Sequence, residues 1–555
     1  MKKIILCTAA ILWCMIASSQ ITNEAPRSSF SKLSKSIPTI SMPSFDLKKI
    51  QEEDKVNDLI RSKPFRFGHE FDVDLNMNNS GVLEELNNGD QIWRLSIKSE
   101  GANTLNFIFD LFDLAEGASV HLYNDDKSFV LGAYTSKMNN DNKSLGTWIA
   151  DGEKITIEFY EPSNVKGLSK LNIGTVVHGY RTVANYETHL KRLNDSGDCN
   201  QDVNCDIGAD FNSIKDNVKK GVALILNNGS DWCTGTLINN TSNNAAPYLL
   251  TANHCSGGEA NWTFRFNWIS TNNVCAAITN STDNGPSNYF QTTSGATVLA
   301  QNSETDFELI EITGGLDDSW DLEWAGWDRT GAIPSYTVGI HHPSGDIMKV
   351  CRDDNAPEYF IRTFNGNPTT ELWRIIGGGA NQGWDLGVTE PGSSGSALFD
   401  PNGRIIGQLA GGFAACSGTN DNGTEDWYGR FDISWDFGTT NSTRLSNWLD
   451  PANTGQTTLD SLSEELLLSV DENDELDRDI ALYPNPSDGV FNVANNSGSK
   501  LTYDLFNIIG QQVGSGKMDN KNSVLDISSN DSGVYFISIT DTSKNTKITK
   551  KVVIR

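Results

Sequence analysis

Hydrophobic and polar positions alternate in short runs along most of this chain. Gln91-Ile-Trp-Arg-Leu-Ser-Ile97, Ala118-Ser-Val-His-Leu-Tyr123 and Lys154-Ile-Thr-Ile-Glu-Phe-Tyr160 show the period of two that marks half-buried strands. Asn, Gly and Asp clusters separate them, so the stretch from Phe65 to about Val183 predicts a β-sandwich. Residues 20–60 are polar, rich in Ser and Lys and nearly aperiodic, which predicts a flexible lead-in. After the polar joint His189 to Asp198, residues 194–460 again read as short strands, clearest at Gly221-Val-Ala-Leu-Ile-Leu226 and Arg404-Ile-Ile-Gly-Gln-Leu409. One helix is predicted over Ser442–Asp450, with Pro451 as its stop. An acidic linker, 461–479, leads to a tail, 480–555, whose strand pattern predicts a second, small β-sandwich. The expected fold class is therefore all-β.

Composition sharpens this picture in two places. Met1-Lys-Lys precedes an apolar run from Ile4 to Ala17 and the small residues Ser18-Ser19, the pattern of a secretory signal peptide (1–19) cut before Gln20. The run is too short for a membrane anchor. Without it seven cysteines remain, at 199, 205, 233, 255, 275, 351 and 416, all in the central block. An exported chain can oxidise six of them in pairs and leaves one over, while spacing alone leaves the connectivity open. The net charge of −28 argues against a nucleic-acid partner and favours basic ligands.

The candidate chemistry lies in the same block. Gly387-Val-Thr-Glu-Pro-Gly-Ser-Ser-Gly-Ser396 can turn sharply and expose backbone amides, although a Gly/Ser run by itself reads as a loop. Upstream, Leu249-Leu-Thr-Ala-Asn-His-Cys255 sets a histidine at the end of an apolar strand, next to Cys255, which lies 22 residues after Cys233 in Trp232-Cys-Thr-Gly-Thr-Leu237. This Cys-x-Gly-x-Leu, Thr-Ala-x-His-Cys and Gly-x-Ser-Gly series resembles the trypsin-like serine proteases. The resemblance implies a chymotrypsin-like double β-barrel, with the triad in the order His, Asp, Ser. Between His254 and Ser394, Asp306 is the best-placed carboxylate, and Glu308, on its face by period two, is the runner-up. Asp317, Asp318, Asp321 and Asp328 sit in turn-like surroundings and read as surface groups.

Within that superfamily the block resembles the lysyl endopeptidases. The likeness rests on Trp324-Ala-Gly-Trp-Asp-Arg329, His341-His-Pro343, Gly387 to Ser396, Ile406-Gly-Gln-Leu409, Tyr428-Gly-Arg430 and Trp448-Leu-Asp-Pro451. It implies His254, Asp306 and Ser394 as triad and the Gly392 and Ser394 amides as oxyanion donors. It also implies disulfides Cys199–Cys416, Cys205–Cys275 and Cys233–Cys255, with Cys351 free. His341 and His342 read as structural, and no metal or other cofactor is expected. The tail, with Tyr483-Pro-Asn-Pro486 and Ser532-Gly-Val-Tyr535, resembles the C-terminal sorting domain of the bacterial type IX secretion pathway. That resemblance implies the secretion machinery as a partner and a secreted or surface-attached protein.

Specificity has two probes. The trypsin-like position for the acid that binds a basic side chain, six residues before the nucleophile, is Val388, whereas the lysyl endopeptidases place an aspartate just before Tyr-Gly-Arg, here Asp426. The second probe needs no family. From Gly221 to Asp460 the only lysine is Lys349, although eight arginines occur there; residues 21–193 hold fourteen lysines and those after 460 hold seven. A protease cutting after lysine would select against exposed lysine in its own working domain, and compositional drift would not obviously spare arginine. One departure stands out: the tryptophan and histidine that the family stacks beside its triad correspond to Ile376 and Ala410. Catalytic histidine solvation is then expected to differ.

Ser393 also replaces the aspartate that pairs with a freed N-terminus in trypsin-type zymogens. The region 20–193 is therefore expected to act as folding aid and cap, removed near Lys191-Arg192. The expectation is a secreted serine endopeptidase acting on lysine-containing proteins. Its rivals are a same-fold protease that accepts arginine or other residues, and a non-catalytic adhesin.

Overall fold

The computed structural model describes residues 24–59, 63–181, 196–279, 281–284, 291–363, 370–376, 383–463, 480–496, 498–507, 511–518, 523–541 and 546–555. The signal-peptide reading, the Lys191-Arg192 site and most of the acidic linker lie outside these residues. The chain divides into two compact units, 1–462 and 463–555. Strands dominate both, as the alternating pattern predicts.

In the first unit, the N-terminal part stacks two sheets. Gln91–Lys98 and Lys154–Glu161 pair antiparallel at the centre of a six-stranded sheet, and Thr104–Asp113 and Lys170–Gly179 at the centre of a five-stranded one. Trp93, Leu95, Phe107, Phe109, Ile155 and Ile157 fill the space between them. The lead-in departs from expectation. Thr39–Ser41 pairs in parallel with Ser96–Lys98, and Leu47–Asn57 forms helix α1, capped by the Asp46 carboxylate, which accepts from the Lys49 amide. The physical reason is tertiary. Arg94, on the outer face of its strand, is buried with Glu84, and Glu84 also accepts from the Ser34 and Lys35 amides, so the lead-in covers a polar surface that no periodicity reveals.

The central block forms two curved sheets, the halves of the double β-barrel expected from the resemblance. The first runs in the order 292–294, 263–266, 222–227, 231–237, 248–252, 307–312, 296–302. The second contains 371–375, 426–430, 405–412, 397–399, 337–341 and 349–353 as successive neighbours. The predicted helix over 442–450 is instead a 3-10 turn, Asn441–Thr443, and a single helical turn, Ser446–Leu449. Extended Arg444 separates them, because Leu445 is drawn fully into the core.

The N-terminal sandwich and the central block share a core. Phe65–Arg66 adds to the edge of the Asp231–Leu237 strand, with Asp231 opposite Arg66 and Trp232 opposite Phe65. Phe67 stacks on Trp232 at 4.3 Å, and the apolar cluster continues through Trp148 into Leu224, Leu226, Trp268 and Ile347.

The second unit packs a three-stranded sheet (480–483, 490–495, 523–526) with a four-stranded one (512–518, 501–507, 533–541, 546–554). Phe491, Val493, Leu505, Ile537, Ile539 and Val552 form its core, giving the small sandwich that the tail's alternation predicts. Among the described residues no helix is long and apolar enough to cross a membrane.

Candidate active site

The strand Tyr248–Ala252 runs into a tight turn, Asn253–Cys255, beside the start of the strand Phe307–Ile312. Asp306 sits just before that strand with φ of 56°, a left-handed conformation that aspartate tolerates better than most residues. The turn is fastened to it three times. Asn253 donates its amide to the Asp306 carbonyl at 2.9 Å, His254 donates its amide to Oδ1 at 3.0 Å, and His254 Nδ1 meets Oδ2 at 2.7 Å. A carboxylate on Nδ1 holds the ring proton there and leaves the Nε2 lone pair available. Among the described residues Nε2 has no hydrogen-bond partner, so no bond to Ser394 Oγ is formed in this structure. Such bonds are often long before substrate binds. Burial raises the Asp306 carboxyl, and the adjoining His254 opposes that rise.

Glu308 does not reach His254. It is buried beside Glu259, and burial, followed by the Glu259 charge, pushes its carboxyl up to about 9. Because its folded-state value lies above the ordinary glutamate range, its contribution favours the fold at low pH and is lost as pH rises through about 9. Glu308→Gln is therefore expected to flatten the fall in melting temperature between pH 6 and pH 10. Equal slopes in variant and wild type would contradict this assignment.

The Ser394 loop belongs to the second sheet but is tied to the first. Thr234 donates its amide to the Ser394 carbonyl at 2.8 Å and its hydroxyl to the Gly392 carbonyl at 3.0 Å. Cys233 and Cys255 are disulfide-bonded, so the strand that holds the serine loop is covalently linked to the histidine turn. Gly395 needs its missing side chain, since a Cβ would lie 2.1 Å from Thr251 Oγ1. Ser393 donates its amide to the Glu390 carbonyl, whereas the Gly392 and Ser394 amides have no partner among the described residues. Two uncommitted amides flanking one bonded amide are what an oxyanion site requires. His341 Nδ1 lies 2.7 Å from Ser393 Oγ and His342 Nδ1 lies 2.9 Å from the Asp346 carbonyl. Burial pushes both rings down to about 3, so each is neutral at physiological pH.

A narrow pocket joins Ser394 to Asp426 past Thr389, Leu409, Gly412 and Ala414. Asp426 is 1% exposed. Its Oδ2 accepts from Trp384 Nε1 at 2.7 Å and Thr389 Oγ1 at 2.6 Å, and its Oδ1 accepts from the Ala414 amide at 3.2 Å. Donors of this kind orient a buried carboxylate and favour its charged form. Val388 lies in the apolar cluster with Trp384 and Tyr428. Ala410 is buried against Leu372 and Trp427, and Ile376 is half-buried.

Cys199–Cys416 and Cys205–Cys275 complete three disulfides, and Cys351 is buried and free. The first bridge anchors a contact that sequence reasoning missed. Gly197 donates its amide to the Glu390 carboxylate, 3.0 Å from Oε2, and Asn200 donates its side-chain amide to the same oxygen at 3.2 Å. The serine loop is thus braced by the start of the central block. Trp384 and Thr389 were missed too, because their partner Asp426 is 42 and 37 residues away. No local pattern marks them.

Residues 193–429 match the family model described as lysyl endopeptidase, C-terminal domain, and residues 481–555 match that of the secretion system C-terminal sorting domain. A curated lysyl endopeptidase from Pseudomonas aeruginosa is 27% identical over 281 residues, covering 49% of this chain. The match spans 56% of that relative's own length. A solved biofilm associated protein BSP domain covers 91% of the chain at 8% identity with a TM-score of 0.12, too slight a likeness to carry an argument. Both resemblances read from the residues are borne out. This chain is similar to the lysyl endopeptidases in its central block and to secretion-system sorting domains in its tail, and that tail marks it as a secreted protein.

Proposed function

We propose that the protein is a serine endopeptidase that cuts on the carboxyl side of lysine. The observation that carries this reading is the arrangement of an Asp306-oriented His254 and the Ser394 loop with its two uncommitted amides, on a cavity that ends at the Asp426 carboxylate. In the proposed reaction His254 Nε2 takes the proton from Ser394 Oγ as that oxygen attacks the carbonyl carbon. The Gly392 and Ser394 amides receive the charge that develops on the carbonyl oxygen. His254 then gives its proton to the departing amine, leaving an acyl-serine ester. Water, deprotonated by the same nitrogen, attacks the ester and restores Ser394.

Lysine preference has support beyond Asp426. Lys349, the one lysine between Gly221 and Asp460, is 1% exposed, and its ammonium lies 2.7 Å from Asp202 and 3.7 Å from Asp346. A protease of this specificity leaves nothing on that stretch for a second copy to cut. An ammonium also suits a buried carboxylate as a point charge, while a guanidinium needs a wider, forked site. The same reading assigns the N-terminal region as a removable cap and the type IX machinery as the partner of the tail.

The test is to digest a denatured protein of mixed composition and sequence the new termini. Termini after lysine are expected. A majority after arginine would favour a broader protease of the same fold, and no cleavage dependent on Ser394 would favour an adhesin.

A further inference from the structure

The histidine pair that the catalytic reading leaves unused lies against the Ser394 loop. His341 ends the strand Thr337–His341, and the chain then turns sharply at Pro343–Gly345, where Ser344 takes a φ of 56°. The approach to the loop is backbone on backbone. A Cβ on Gly392 would lie 2.9 Å from the Ser344 nitrogen and 3.0 Å from the His342 oxygen. Each of three residues in this segment fixes one residue of the loop. Ser344 donates its amide to the Pro391 carbonyl at 2.6 Å. His342 donates its amide at 3.1 Å to Thr234 Oγ1, which in turn donates to the Gly392 carbonyl. His341 Nδ1 lies 2.7 Å from Ser393 Oγ, and that oxygen accepts from the Glu390 amide at 3.2 Å.

In a trans peptide the carbonyl and the following N–H point opposite ways. Holding the Pro391 carbonyl therefore aims the Gly392 N–H. Holding the Ser393 carbonyl, which accepts from the Ser396 amide at 3.0 Å, aims the Ser394 N–H in the same manner. These are the two uncommitted amides of the loop. Ser393 stands between them, and its side chain is tied outside the loop to His341. The His341 ring is fully buried, and that burial, with His342 and Lys349 adding to it, keeps the ring neutral. With the Ser393 hydroxyl donating to Nδ1, only the Nε2 N–H lacks a partner among the described residues. The other tautomer would leave the hydroxyl proton unpaired as well.

We propose that His341 is a positioning residue for the oxyanion site, and that the segment His341–Ser344 aims both of its donors in the uncut chain. The proposal rests on the reading of Ser394 as the nucleophile. Ser393 occupies the place where trypsin-type zymogens hold an aspartate that awaits a freed N-terminus, and here it is already paired. A neutral bond made inside the fold needs no new terminus and no charge, so the donors are in place before any processing.

The test uses the full, uncut chain and a small phosphonofluoridate. Ser394 Oγ bonds to phosphorus, fluoride leaves and His254 takes the serine proton, while the phosphoryl oxygen sits at the oxyanion donors. The wild-type chain is expected to be phosphonylated without any cut. His341→Phe keeps the bulk of the ring and loses the acceptor, and should lower the rate constant by about tenfold or more. His341→Asn, whose side-chain oxygen can take the place of Nδ1, should restore most of the rate. Ser393→Ala should match His341→Phe, and the double variant should be scarcely slower than either single one. The phosphorus NMR resonance of the labelled His341→Phe protein should move, because a donor to the phosphoryl oxygen is misplaced. The low-field proton on His254 Nδ1, held by Asp306, should stay where it is in wild type. A wild-type rate in a folded His341→Phe or Ser393→Ala protein would overturn the proposal. So would labelling of the wild type only after a cut at Lys191-Arg192. No labelling of Ser394 in either the cut or the uncut form would instead strike the active-site reading, and the proposal with it.

Discussion

Replacing Ser394 by alanine is expected to lower hydrolysis of a lysyl peptide by about ten-thousandfold or more, with KM and melting temperature nearly unchanged. The side chain is small and its backbone is held by groups that the substitution leaves alone, namely the Thr234 amide on the Ser394 carbonyl and the Thr234 hydroxyl on the Gly392 carbonyl. The loss should therefore fall on kcat. Asp306→Asn tests the same unit from the other end. An amide at the position of Oδ2 can offer N–H to Nδ1, which moves the ring proton to Nε2 and removes the base, so a loss of about ten-thousandfold is expected there as well. Because the two groups act together, the double variant should be scarcely worse than either single one. Steady-state kinetics on the three proteins checks all of this. A Ser394→Ala protein that retains more than a hundredth of wild-type kcat would move the nucleophile elsewhere.

The second large effect is expected at Asp426. Asp426→Asn keeps the shape of the side chain and removes the buried charge that is proposed to meet a lysine ammonium. The kcat/KM for a lysyl peptide should fall by about a hundredfold to a thousandfold, the range seen when one partner of a buried charge pair is truncated. Hydrolysis of an otherwise identical peptide with an uncharged side chain should change little, so the preference for lysine collapses rather than the chemistry. Ser394 should still be phosphonylated by a small phosphonofluoridate, with loss of fluoride, at the wild-type rate. Trp384 Nε1 and Thr389 Oγ1 both point at Oδ2, and the variant must turn its amide oxygen toward them to keep these bonds. An unchanged ratio of lysyl to neutral peptide hydrolysis would sink the specificity assignment.

Much of the candidate site was legible because its residues lie at strand ends and turns with local signatures. His254 closes an apolar run, Gly392 and Gly395 take the positive φ values that a sharp loop requires, and Asp426 opens the strand Asp426–Arg430. The choice between Asp306 and Glu308 was open in the sequence, since both lie on one face of an alternating pattern. Geometry separates them: the first is bonded to His254, the second is buried against Glu259. Helix α1 was misread although Asp46 is a proper cap, because the region's composition masked an eleven-residue run of good helix formers.

By itself, then, the amino-acid sequence determined the strand-rich class of the protein, the sandwich tail, and the short list of groups able to do chemistry. Those properties depend on periodicity and on neighbours a few residues apart. The tertiary structure alone decided which carboxylate meets His254, which donors orient Asp426, how Gly197 braces Glu390, and that Asp58 and Pro64 reach the rim of the same cavity. These contacts join residues tens to hundreds of positions apart. Their energy comes from removing polar and aromatic groups from water together, and no local stretch of the chain records which groups those are.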